Sequence, residues 1–236
     1  MVAQVATGER GCEVISSLAG RIRTPTMPEG QVRVGGFGGA DGLRAWLVDN
    51  EVDLVVDATH PFAEVITANA AIAARTAGVP LIHLRRPSWA PQPGDRWIRV
   101  SDLAAAAHVV TEFGERIFLT VGRRGVEAFA DLTRQWFLIR AIDPPEGKLP
   151  ARHEILLARG PFAVESESRL MAAHRIDTVV TKDSGGSATE AKLVAARAAG
   201  ISVVVVQRPP LPEGGQTVDS VAEVMGRLRA MRAGLG

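Results

Sequence analysis

The chain of 236 residues carries 27 Lys and Arg against 26 Asp and Glu, a formal charge of +1, and 46% of its residues are apolar. That balance excludes a disordered chain and opposes a nucleic-acid partner, which calls for a strongly basic surface. Cys12 is the only cysteine, so an internal disulfide and a thiolate metal site are excluded, and no apolar run approaches the roughly 20 residues that span a bilayer.

The opening "MVAQVATGERGC" lacks the basic start and apolar centre of a signal peptide, and a cytoplasmic chain is expected. "CEVI" reads as a strand running into "SSLAGR" (16–21). A serine and an arginine placed there, Ser17 and Arg21, suit a ribose 2′-phosphate, whereas a free 2′-hydroxyl calls for an acidic residue; this points to NADP over NAD. "QVRV" is a second strand, followed by the glycine cluster "GGFGG" (35–39), in which Gly39 is a candidate cofactor contact.

"VDLVVDA" (52–58) is a clear strand. After it, Phe62, Val65, Ile66, Ala70, Ala73 and Ala77 follow helical spacing, Gly78 ends that helix, and "VPLIHL" (79–84) is the next strand. This βαβ unit implies parallel strands. Between strand and helix stands "DATHPFA" (57–63). Thr59 or His60 as a helix cap before Pro61 explains one short acceptor, but not an aspartate, a threonine and a histidine within four residues. A histidine fixed against a proline at a strand end is a candidate to contact ligand or donate a proton.

"RRPSWAPQPGDRW" (85–97) is dense in proline and reads as a linker. It sets a boundary near residue 98, giving an N-terminal domain over 1–98 and a C-terminal domain over 99–236. In the second half "RIFLTV" (116–121), "WFLIRAI" (136–142), "IDTVVTK" (176–182) and "ISVVVVQRP" (201–209) are strands, the last buried on both faces. "GRRGVEAFADL", "VESESRLMAAHR" (164–175) and "SATEAKLVAARAAG" (187–200) are helical, and "DPPEGKLPARHE" (143–154) is a long loop. Ser220 and Glu223 form a capping box for the last helix. The alternation predicts an α/β fold of two Rossmann-like parallel-sheet domains.

In such sheets ligands lie at the carboxyl ends of strands. "TVGRRG" (120–125) offers Gly122, Arg123, Arg124 and Gly125 for a phosphate, and "TKDSGGSAT" (181–189) sets Lys182 beside Gly185 and Gly186, whose bare backbone lets a ligand approach. There is no G-x-S-x-G elbow, no H-E-x-x-H and no P-loop, and a short-chain dehydrogenase is opposed by the absence of tyrosine. His83, inside a strand, reads as a core residue.

The segments "SLAGR", "GGFGG…GL..WL", "D.VVDATHPFA", "RP.W", "LT.GR.G", "WFLIR", "LARGPF" and "T.KDSGG..T.AKL.AA" occur in this order over about residues 16–210. Together they resemble the precorrin-6A reductase family. The resemblance implies two Rossmann-like domains with a cleft between them, NADPH as reductant, and a tetrapyrrole of the cobalamin pathway, cobalt-free or cobalt-bound, as substrate. Catalytic candidates are then His60, Lys182 and Asp183; the proton could come from His60, Lys182 or water, and the sequence does not choose. Asp57, Thr59, Arg85, Arg86, Ser184, Gly185 and Gly186 are expected on the polycarboxylate substrate. Ser17, Arg21, Gly39, Thr59, Gly122, Arg123, Arg124 and Gly125 are expected on the cofactor, with no metal site, no membrane or nucleic-acid partner, and a monomer or small homo-oligomer. The family usually opens with a strand, a glycine-rich turn and a helix, for which "MVAQVATGERGCE" is too short, so the first domain is expected to lack that strand and turn or to begin further upstream. The competing reading is a non-catalytic nucleotide- or ligand-binding α/β module.

Overall fold

The computed structural model describes residues 2–9, 11–18 and 28–233. They fall into two units, residues 1–86 with 210–236, and residues 87–209. Where the sequence suggests one boundary near 98, the chain crosses between the units twice. The reason lies in two short strands, Trp97–Val100 and Gln216–Val218, each paired into its unit's sheet and neither marked by a clear periodicity.

The first unit runs α1 (Val2–Thr7), β1 (Ile15–Leu18), β2 (Gln31–Val34), α2 (Gly39–Asp49), β3 (Val55–Asp57), α3 (Glu64–Ala77) and β4 (Leu81–Leu84). The second unit holds β5 (Trp97–Val100), α4 (Leu103–Phe113), β6 (Arg116–Thr120), β7 (Trp136–Ala141), β8 (His153–Leu157), α5 (Val164–Ala173), β9 (Thr178–Lys182), α6 (Ala191–Ala198) and β10 (Ser202–Val206). The chain then returns to the first unit as β11 (Gln216–Val218) and α7 (Val221–Ala233). Among the described residues no helix is long and apolar enough to cross a membrane.

In the first unit the strands form two parallel ladders, β1–β2 and β11–β4–β3. Residues 2–7 are helical. Small residues on α3, Ala70 and Ala73, meet Leu43 and Leu47 of α2. Val65 faces solvent and Phe62 precedes the helix, so the apolar face is narrower than the spacing suggests. Gly78 closes α3 in the left-handed conformation at φ 71°, its N–H donating to Ala74 O and Arg75 O.

The second unit is one six-stranded parallel sheet in the order β5-β10-β9-β6-β7-β8. Phe118, Leu119, Val179, Val180, Val204 and Val205 are fully buried, so the central strands are apolar on both faces, as covered parallel strands must be. The segment "GRRGVEAFADL" yields only a single 3-10 turn, Val126–Phe129, and "HEILL" adds β8 at the edge. From β6 the chain moves outward through β7 and β8, then returns to β9 and β10 on the other side of β6. Strand order therefore reverses between β6 and β9.

Candidate functional site

Parallel strands bring their carboxyl ends to one edge, and the crevice at an order reversal is where open α/β sheets take ligands. Thr120 and Thr181 are register partners at the ends of β6 and β9, and Thr120 Oγ1 donates to Val180 O at 3.0 Å. The loops 121–125 and 183–189 thus leave neighbouring strands side by side.

After β6, Gly125 N–H donates to Gly122 O at 3.0 Å, closing a turn. Gly122 has φ 77° and open space where a Cβ would stand. Arg123 pairs with Glu146 at 3.3 Å, and Arg124 is exposed.

After β9, Lys182 is half-buried at the strand end. Asp183 is turned inward, 3% exposed. Its carboxylate accepts from Trp89 N–H at 3.3 Å and lies 3.9 Å from Arg99 and 3.8 Å from Arg208. These contacts tie the start of the loop to Trp89 and to two guanidinium groups. Gly185 has φ 64° and rests on the Pro87 backbone: an added Cβ would collide with the Pro87 carbonyl oxygen and the Arg208 guanidinium. Ser184 Oγ meets Thr189 Oγ1 at 3.2 Å, and α6 begins without a side-chain cap.

In the first unit, β3 and β4 end together, so "DATHPFA" leaves beside Arg85 and Arg86. Asp57 Oδ1 accepts from the Thr59 N–H at 3.1 Å and the Thr59 hydroxyl at 2.6 Å, while Oδ2 lies 3.1 Å from His83 Nδ1. Burial opposes ionisation of Asp57, but bonds from His83, Thr59 and Thr67 outweigh it and hold the carboxyl at about 2. Asp57 and Thr59 thereby shape the loop. A turn closed by Ala63 N–H on His60 O, with Pro61 at its second position, separates this loop from α3, which has no side-chain cap. Neither Thr59 nor His60 caps the helix. His60 is exposed, and its Nδ1 accepts from Phe62 N–H at 3.3 Å, which in the neutral ring leaves the proton on Nε2.

Ser17 is exposed on β1, opposite Arg33 of β2. Arg21 lies outside the described residues. Gly39 opens α2, whose first turn has no side-chain cap. Arg33 donates to Gly35 O at 2.7 Å and Gly36 O at 2.8 Å and lies over the Phe37 ring, fixing the glycine loop.

The model of the precorrin-6x reductase CbiJ/CobK family matches residues 1–229. The chain belongs to that family. A precorrin-6A reductase of Rhodococcus erythropolis is 59% identical over 212 residues, covering 90% of this chain and 86% of that protein. A cobalt-precorrin-6A reductase of Salmonella typhimurium is 31% identical over 224 residues, covering 90% of this chain and 82% of that one. A solved structure of CobK precorrin-6A reductase superposes with a TM-score of 0.90 at 39% identity, covering 97% of this chain and 91% of that chain. The two-unit parallel α/β architecture is thus that of a reductase family.

Proposed function

We propose that the protein is an NADPH-dependent oxidoreductase that reduces the macrocycle of cobalt-free precorrin-6A in cobalamin biosynthesis. The observation that carries this reading is the side-by-side exit of the cationic, glycine-bearing loops after β6 and β9, in a chain 59% identical to a precorrin-6A reductase. The lower identity, 31%, to a relative named for the cobalt form favours the metal-free substrate.

The glycine loop before α2 fits a dinucleotide. Gly35, Gly38 and Gly39 have φ of 116°, 83° and 89°, and no atom stands where a Cβ of Gly36, Gly38 or Gly39 would lie. A diphosphate can approach the uncapped N–H groups of α2 there. Ser17 is the candidate for the 2′-phosphate. When bound, NADPH supplies a hydride to an unsaturated ring carbon and leaves as NADP⁺.

The chain's own residues bind and orient the substrate and hold the balancing proton. Lys182, at the strand edge of the second unit, is suited to a carboxylate arm, and Arg123 and Arg124 in the Gly122–Gly125 turn to a cofactor phosphate or a further arm. Arg85 and Arg86 provide the same charge at the edge of the first. Ser184, Gly185 and Gly186 offer hydroxyl and backbone contacts. Lys182 and His60 are the candidates to deliver the proton. Purified protein given precorrin-6A is expected to consume NADPH with NADH at least about tenfold poorer, a difference of roughly 1.4 kcal/mol in transition-state binding. Absence of consumption would remove the reading.

A further inference from the structure

We infer that Trp89 and Lys192, two buried side chains outside the strand-end loops, are positioning residues that hold the 183–189 loop in its substrate-binding shape. The identity of that substrate rests on the reductase reading; the brace itself does not.

Trp89 is 7% exposed and reaches the loop with both of its donors. Its indole Nε1–H donates to Gly186 O at 3.1 Å and its backbone N–H to Asp183 Oδ1 at 3.3 Å. Lys192 is 3% exposed, on the first turn of α6, and its Nζ donates to Thr189 O at 2.6 Å. The same Nζ lies 5.0 Å from the centre of the Trp89 ring, which joins the two residues. Thr189 carries the constraint onward, because its hydroxyl meets that of Ser184 at 3.2 Å. Trp89 is held in turn by Arg99, which donates to Trp89 O at 3.1 Å, and Arg208 donates to Asp183 O at 2.7 Å.

Mere space-filling does not explain these residue types. A buried ammonium loses its hydration, and methionine would occupy the same volume without that cost. What lysine adds is a bond from Nζ to one loop carbonyl, which the amine donates in either protonation state, made beside the indole that grips another. The loop has two glycines at positive φ, Gly185 and Gly186, and therefore little stiffness of its own. Its shape must be imposed from outside.

The test compares the full-length protein with Trp89→Phe, which keeps a ring but removes the donor, and with Lys192→Met. Thr189→Val and Thr189→Ser form a milder pair that keeps the shape and either removes or retains the hydroxyl. Hydrogen–deuterium exchange should rise about tenfold in the segment around 183–190 for Trp89→Phe, Lys192→Met and Thr189→Val, with β6 and β9 unchanged. With turnover, KM for precorrin-6A should rise about tenfold while KM for NADPH stays within about twofold, and Thr189→Ser should behave as the parent. Unchanged local exchange, exchange that rises across the whole unit, or raised exchange with an unchanged KM for precorrin-6A would each overturn the inference. If the parent protein turns over no precorrin-6A, the reductase reading fails, and the exchange measurement alone decides the brace.

Discussion

Asp57 and His83 are register partners on β3 and β4, and the Asp57 Oδ2 lies 3.1 Å from the His83 Nδ1 with both side chains buried. The other ring nitrogen, Nε2, is 3.2 Å from Gly214 O. One imidazole thus ties the loop after β3 to the segment by which the chain re-enters the first unit.

The depressed carboxyl of Asp57 predicts a pH signature. The folded value, about 2, lies below the ordinary 3.8, so the stabilisation is present above about pH 4 and lost as pH falls towards 2. The difference corresponds to about 2 kcal/mol. Urea unfolding should show Asp57→Asn less stable by about that amount at neutral pH, with the gap closing between about pH 4 and 2. A gap independent of pH would contradict the account.

Lys192 predicts the opposite slope. Burial is the main cause that brings its value down to about 7, with the Arg140 charge adding and the Glu167 charge opposing. Between about pH 7 and 10.5 the unfolded chain binds the additional proton, so stability rises with pH. From pH 7 to 9 the parent protein should gain about 2 kcal/mol relative to Lys192→Met. Parallel stability curves for the two proteins would refute the assignment.

Two glycines should respond differently to alanine. Gly214 has φ 97° with open space around it, so Gly214→Ala costs only left-handed strain, about 1–2 kcal/mol. Gly185→Ala adds a collision with the Pro87 carbonyl and the Arg208 guanidinium, and the loop must move. Gly185→Ala should therefore lose more stability than Gly214→Ala and also lose precorrin-6A binding. Titration calorimetry with thermal melts of both variants checks this.

The strands with continuous apolar runs were legible in the sequence: β10 is buried along Val203–Val206, and β6 and β9 fall inside their expected ranges. The strands at β5, β8 and β11 were not, because three to five residues at a sheet edge or beside prolines carry no period strong enough to read. The polar strand ends were legible as positions, since hydroxyl, cationic and glycine residues abruptly follow an apolar run. Their roles were less so. Asp57, expected on the substrate, and Asp183, a catalytic candidate, each also bond to neighbours that only the folded chain supplies. Arg140, Glu167 and Lys192 carry no assigned role in the sequence because nothing in a linear pattern distinguishes a buried charge from a solvated one.

The Arg140–Glu167 pair is the clearest such case. Arg140 Nη2 lies 3.0 Å from Glu167 Oε2, a second bond joins Nη1 to Oε1, and the guanidinium is flanked by the Phe118 and Phe162 rings. Removing one member leaves a buried charge alone, so Glu167→Gln should cost about 3 kcal/mol or more. The double variant Arg140→Met with Glu167→Leu should cost less than the sum of the single changes, which a double-mutant cycle by urea unfolding measures.

The most direct test of the proposed reaction follows the hydride itself. Protein supplied with precorrin-6A and NADPH deuterated at the transferable position of the nicotinamide should yield a reduced tetrapyrrole heavier by one deuterium, as seen by mass spectrometry. A product without deuterium, or no reduced product at all, would contradict the account.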